Sequence, residues 1–158
     1  MVLVKPGNDN LYYSSRNMKI FLAGSIEMGA AENWQEVIED TFRHKSDLVI
    51  FNPRRDDWDS SWVQKESNGQ FNYQVNWELD KLTEADIIFM YFAPDTKSPI
   101  SLLELGLYAD TKKMIVVCPD NFWRKGNVDI VCNRYDIPIY ETLDKGIGAL
   151  RTRLKDVR

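Results

Sequence analysis

A glutamate embedded among leucines is the residue of this chain best placed to do chemistry. In Ser98-Pro99-Ile100-Ser101-Leu102-Leu103-Glu104-Leu105-Gly106, Glu104 has apolar neighbours on both sides. Ser98 and Pro99 form an N-cap and first-position pair that opens a helix, since serine can accept from a free amide and proline lacks one. Glu104 then falls in the second turn. A lone carboxylate is costly to bury unless it is paired or at work, and a working one is a candidate nucleophile or acid–base group. The same pattern also fits a glutamate on the solvent face of an amphipathic helix. The residues themselves leave both readings open.

The elements that must position Glu104 are legible as alternating runs. Met18–Ala23 (MKIFLA), Leu48–Phe51 (LVIF), Asp86–Phe92 (DIIFMYF) and Met114–Cys118 (MIVVC) are short and continuously apolar, and read as buried strands, with Asp136–Tyr140 as a fifth. Residues 30–42 place Trp34, Val37, Ile38 and Phe42 on one helical face, and residues 71–84 turn Val75, Leu79 and Leu82 inward. Pro99–Asp110 is the helix of Glu104, and residues 142–155 form a final helix. Residues 54–70 are polar, aromatic and turn-rich, long enough for a functional loop. Strands alternating with helices imply a parallel five-stranded sheet covered on both faces, a doubly wound α/β fold. Ligands bind such sheets at the carboxyl ends of the strands. That places Gly24–Gly29, Asn52–Trp62, Pro94–Glu104 and Pro119–Asn127 at the ligand end. Residues 1–17 read as an irregular N-terminal extension before a single domain of residues 18–158.

The ordered set KIFLAGSIEMG, FNPRRDDW, WEL followed after five residues by AD, and KSPISLLELG resembles the nucleoside 2-deoxyribosyltransferase family, in particular its branch of short chains sharing the SPISLLELG signature. The resemblance runs from about Met18 to Ile139. Order and spacing carry it, since the glycine and strand patterns alone are weak. It implies a flavodoxin-like sheet and a homo-oligomer whose active sites are shared between subunits. It also implies exchange of the base of a 2′-deoxynucleoside. A carboxylate attacks the anomeric carbon through an oxocarbenium-like transition state, forms a glycosyl ester and releases the base. A second base then attacks the same carbon, so configuration is retained. Water would intercept the ester, so the site must be buried.

Carried onto this chain, the resemblance makes Glu104 the nucleophile. Glu78, 26 residues earlier, stands where the family commonly has an Asp that helps protonate the leaving base. Asp80 is the substitute should the register differ. A leaving purine needs a proton on its ring nitrogen, so an acid is required. Ser98 stands where some members have an Asp for the sugar 5′-hydroxyl, and where the deoxynucleotide N-hydrolases have a Ser that helps hold a 5′-phosphate. Those hydrolases carry an Arg after Ser-Ile in the glycine turn. Here Ser25-Ile26-Glu27 puts an acid there, which repels a phosphate dianion, so an unphosphorylated nucleoside is expected. Phe21 replaces a Tyr frequent in related enzymes and is expected in the core. Gly24, Ser25 and Gly29 form the turn beneath the sugar. The loop that holds Asn52, Arg54, Arg55, Asp56, Asp57, Trp58 and Trp62 suits a flat base by stacking and edge hydrogen bonds. Asn52, Asp57 and Trp58 are its candidate contacts, with Gln74 facing the base from the next helix. Asn127 aligns with the family Asn that reaches the neighbouring subunit's site, and Asp129 lies beside it.

Composition narrows the alternatives. A net charge of −4 and dispersed basic residues give no electrostatic reason to expect a nucleic-acid partner. No stretch approaches a membrane span, the N-terminus lacks signal-peptide character, and a cytoplasmic protein is expected. Cys118 and Cys132, in VVCP and IVCN, read as buried free thiols. His44 lies in a polar stretch and supports neither a metal site nor a Ser-His-Asp triad. With no G-x-G-x-x-G and no Walker sequence, no cofactor is implied, and the mechanism needs no metal. Expected partners are 2′-deoxynucleosides, free nucleobases and further copies of the chain. The rival readings are an N-glycoside hydrolase of deoxynucleosides or their monophosphates, and a nucleoside- or nucleotide-binding module without turnover.

Overall fold

Burial of continuous apolar runs on both faces gives one parallel sheet. The computed structural model describes residues 1–8, 11–26, 32–55, 61 and 63–156. Its strands are β1 (Val2–Val4), β2 (Met18–Gly24), β3 (Leu48–Phe51), β4 (Ile87–Tyr91), β5 (Met114–Val117) and β6 (Ile139–Tyr140). They lie in the order β1-β3-β2-β4-β5-β6, and every pairing is parallel. The helices are α1 (Trp34–Phe42), α2 (Gly69–Glu84), α3 (Pro99–Tyr108), α4 (Lys125–Arg134) and α5 (Leu143–Asp156), with a 3₁₀ turn at Ala109–Thr111. Leaving β1 aside, the strand order is that of a flavodoxin-like, doubly wound sheet.

Side chains of successive strand residues alternate between two cores. Phe21, Phe51, Ile88, Met90 and Val116 pack with Trp77 of α2, Leu105 of α3, and Val128 and Cys132 of α4. Ile20, Leu22, Ile50, Phe89 and Val117 pack with Trp34 and Ile38 of α1 and with Ile147 and Leu150 of α5. Phe21 is core, as expected, and Cys118 and Cys132 are buried free thiols. Burial pushes both thiols up to about 12, so neither is a thiolate nucleophile at neutral pH. His44 is exposed.

Five strands were expected and six are present among the described residues. The sixth is β1, within residues 1–17, where a three-residue run was too short to register as a strand. It pairs with β3, from Val2 opposite Val49 to Val4 opposite Phe51. Helix α4 was also unanticipated, because Lys125–Arg134 mixes charges with few apolar residues and buries only Val128 and Cys132. Two helical faces rotate relative to expectation. Val37 and Leu79 are exposed and Val75 is only half-buried, while Gln74 and Trp77 turn inward with Leu82. The large indole of Trp77 against Phe21 sets the inward face of α2.

One glycine is fixed by close approach of strands. Gly24 ends β2 at φ +133°, and a Cβ there would lie 2.2 Å from the Tyr91 carbonyl oxygen of β4. Gly24→Ala is therefore expected to destabilise the fold by about 3 kcal/mol or more, measured by urea denaturation. A loss under about 1 kcal/mol would show that the two strands can part without cost.

Candidate active site

The connections leaving β2 and β4 run in opposite directions along the sheet, which opens a crevice between their carboxyl ends. The crevice is closed below by hydroxyls. The Ser25 amide donates to the Tyr91 carbonyl at 2.9 Å, and the Ala93 amide donates to Ser25 Oγ at 2.8 Å. Ser25 Oγ lies 2.6 Å from Ser98 Oγ and 2.7 Å from Thr96 Oγ1. Thr96 Oγ1 donates to the Ala93 carbonyl at 2.8 Å. Trp34 Nε1 holds the Ser25 carbonyl at 2.9 Å, so α1 anchors the turn. Gly24, Ser25 and Ser98 are thus brought together. Thr96, which completes the cluster, was not anticipated. Its signal was a second hydroxyl two residues before Ser98 in a loop already placed at the ligand end.

Ser98 is not the conventional helix cap expected of it. It occupies the N-cap position of α3 with Pro99 following, but at φ 45°, and its side chain makes no capping hydrogen bond. The hydroxyl turns to Ser25 and Thr96 instead. Asp95 also has a left-handed backbone, at φ 61°. Each such non-glycine residue costs roughly 1–2 kcal/mol. The hydroxyl network and the proline hold the segment in that shape.

Helix α3 carries its polarity inward. Ser101, Glu104 and Leu105 are buried, whereas Ile100, Leu103 and Leu107 are 58–60% exposed. Glu104 is therefore not on a solvent face. Glu78 of α2 is half-buried and close enough for its charge to act on Glu104. Asp80 is exposed, so the geometry puts Glu78 and not Asp80 with Glu104. Burial raises Glu78 to about 7, partly offset by a hydrogen bond from Gln74. Burial, with the like charge of Glu78 added, raises Glu104 to about 8. At neutral pH the pair therefore holds at least one proton, more firmly on Glu104 than on Glu78, so a Glu104 carboxylate beside a protonated Glu78 is the minor arrangement of the free chain.

The segment after β3 approaches the same end of the sheet. Asn52 is buried and engaged at both ends of its amide. Its Oδ1 accepts from the Arg54 amide at 2.9 Å, and its Nδ2 donates to Glu39 of α1 at 2.5 Å. Asn52 thereby shapes the turn after β3. Gln74 Nε2 donates to the Pro53 carbonyl at 3.2 Å and to Glu78 Oε1 at 2.7 Å. Asp57 and Trp58, with Asp56, Trp62, Glu27 and Gly29, lie outside the described residues.

Asn127 and Asp129 sit on α4, on another side of α3. Asn127 is exposed and lines a groove of about 320 Å³ with Leu102, Leu105, Gly106, Arg124, Val128 and Val131. Asp129 is paired with Lys125 at 2.7 Å. Among the described residues no cluster of three or more His, Cys, Asp or Glu side chains could hold a metal, and no helix is long and apolar enough to cross a membrane.

A family model described as nucleoside 2-deoxyribosyltransferase like matches residues 17–122. That span contains Gly24, Ser25, Glu78, Ser98 and Glu104, and it ends before Asn127. A search of the curated proteins returned no match.

Both carboxyls titrate higher in the folded chain than their ordinary 4.5. The folded state thus binds more protons than the unfolded state between pH 4.5 and about 8, and stability is lost as pH rises through that window. Glu104→Gln is expected to melt about 3 °C or more above the parent at pH 8, with the gain vanishing near pH 5. A variant less stable at both pH values would mean that the carboxylate is not held against its solvation.

Proposed function

The chain belongs to the nucleoside 2-deoxyribosyltransferase-like family, and from that premise we propose that it transfers 2-deoxyribose between the nucleobases of 2′-deoxynucleosides. The observation that carries this reading is the buried Glu104 of α3, the helix that follows the hydroxyl cluster at the crevice, with the half-buried Glu78 of α2 close enough for its charge to act on it. Glu104 is the nucleophile. Its oxygen bonds to the anomeric carbon as the electron pair of the glycosidic bond moves to the base nitrogen. Glu78 gives its proton to the leaving base and becomes the base that accepts a proton from the incoming one. The two roles need one proton between the two groups, on Glu78 as Glu104 attacks, so binding of the base must draw it there from Glu104. The one-proton state lies between about pH 7 and 8, so activity falls on either side of it. The hydroxyls of Ser25, Thr96 and Ser98 face the sugar, Gly24 lets the backbone approach it, and Asp57 and Trp58 take the base.

Self-association completes the site in this reading. Ile100, Leu103 and Leu107 on α3, with Trp123 and Ile130, are 53–69% exposed. Exposed apolar side chains grouped beside a groove mark an interaction surface. Asn127, on that groove, is the residue offered to a neighbouring copy's site, with Asp129 beside it. Leu103→Asp is expected to raise the dissociation constant of the oligomer by about tenfold or more and to lower activity in parallel. Sedimentation velocity over a concentration series reads the first effect. A variant as active and as associated as the parent would remove this face from the account.

A second reading, hydrolysis of a deoxynucleotide or deoxynucleoside, is favoured by one observation. The cluster around Ser98 is made of neutral hydroxyls, which can also donate to a 5′-phosphate. The test is chromatography of deoxyinosine or thymidine incubated with and without adenine. Deoxyadenosine is the expected product, and Glu104→Ala should reduce its formation by roughly a thousandfold or more. Base release without a new nucleoside, from the deoxynucleoside or from its monophosphate run alongside, supports hydrolysis instead, and binding of both without any reaction leaves a non-catalytic module.

A further inference from the structure

Gln74 lies one helical turn before Glu78 on α2 and is 3% exposed. Its Nε2 faces two acceptors, Glu78 Oε1 at 2.7 Å and the Pro53 carbonyl at 3.2 Å. Two acceptors on one atom identify it as the amide nitrogen and engage both of its hydrogens. Its Oε1 is buried with no partner among the described residues. An orphaned acceptor is destabilising, and methionine would fill the same space in a helix without one. The nitrogen is what distinguishes glutamine here. The Pro53 carbonyl is itself fixed. It follows the Asn52 turn, which is held to Arg54 and to Glu39 of α1.

We propose that Gln74 is the positioning residue of the acid, clamping one oxygen of Glu78 to the rigid turn after β3 so that the other oxygen faces the base. The proposal rests on the reading of Glu78 as the acid. It assigns Gln74 an action through Glu78 and not a contact with substrate.

The groups that face Glu78 bear on its titration. Glu104 meets it from α3, and Gln74 from its own helix. Elsewhere on α2, Lys81 is directed to Tyr13 and Glu84, and Asp80 is exposed. A donated hydrogen bond favours the carboxylate and opposes the effect of burial. Removing the donor therefore raises the Glu78 midpoint.

The test is carbon NMR titration of the full chain labelled with ¹³C at glutamate side-chain carboxyls, with the Glu78 signal identified by its loss in Glu78→Gln. In Gln74→Met the Glu78 midpoint is expected to rise by about one pH unit. An unchanged midpoint overturns the proposal. Should Gln74→Met fail to fold, Gln74→Asn keeps the amide but withdraws it by one methylene. The same rise is then expected, and its absence is equally fatal. With a deoxynucleoside that turns over, the alkaline limb of kcat moves up while KM changes little. A limb that stays in place overturns the positioning role. If Glu78→Gln turns over as fast as the parent, Glu78 is not the acid. The titration still decides whether Gln74 clamps it.

Discussion

Two carboxyl groups near enough to feel each other's charge, one buried and one largely desolvated, cannot both be ionised at low cost, and the packing of α2 and α3 holds them in that relation. Desolvation raises each one, and their mutual repulsion raises Glu104 further. A single proton resolves the conflict, since it makes one group an acid and leaves the other a carboxylate. Such a pair must be assembled from rigid elements, because a loop would let water in or let the groups part. Here α2 and α3 are packed on the same face of the sheet through Trp77, Leu82 and Leu105. The strands beneath them are held in register from Ile20–Ile87 to Gly24–Tyr91.

That requirement also explains why α3 is inverted. A helix that buries a serine and a glutamate has less inward face for its apolar side chains, and Ile100, Leu103 and Leu107 lie outward while Leu105 stays in the core. In the proposed function the polar face serves chemistry and the exposed apolar face takes a partner, so catalysis and assembly would draw on one helix. In the proposed oligomer, covering Ile100, Leu103 and Leu107 would offset part of the cost of burying Glu104.

Much of this was legible in the residues. The runs around Ile20, Ile50, Phe89 and Val116 are continuously apolar because a parallel sheet buries both faces, so strand identity and fold type could be read directly. The placement of Glu104, Ser25 and Ser98 at the ligand end followed from the same rule. What was not legible depends on tertiary context. Three residues of β1 carry too short a pattern, and α4 too weak an amphipathic one. Gln74 looked like a base contact, and only packing shows its amide engaged by Pro53 and Glu78. Ser98 looked like a cap, and only the neighbouring Ser25 and Thr96 show why its hydroxyl turns away. Local propensity yields to a hydrogen-bond network that sequence spacing does not encode.

The central claim is that Glu104 attacks the sugar. Its most direct test is peptide mass spectrometry of enzyme acid-quenched during turnover of a deoxynucleoside without acceptor base. A deoxyribosyl adduct on the peptide containing Glu104, discharged on adding adenine, is the predicted result. Base exchange that proceeds with the adduct on another side chain, or with the Glu104→Ala variant still active, would contradict it.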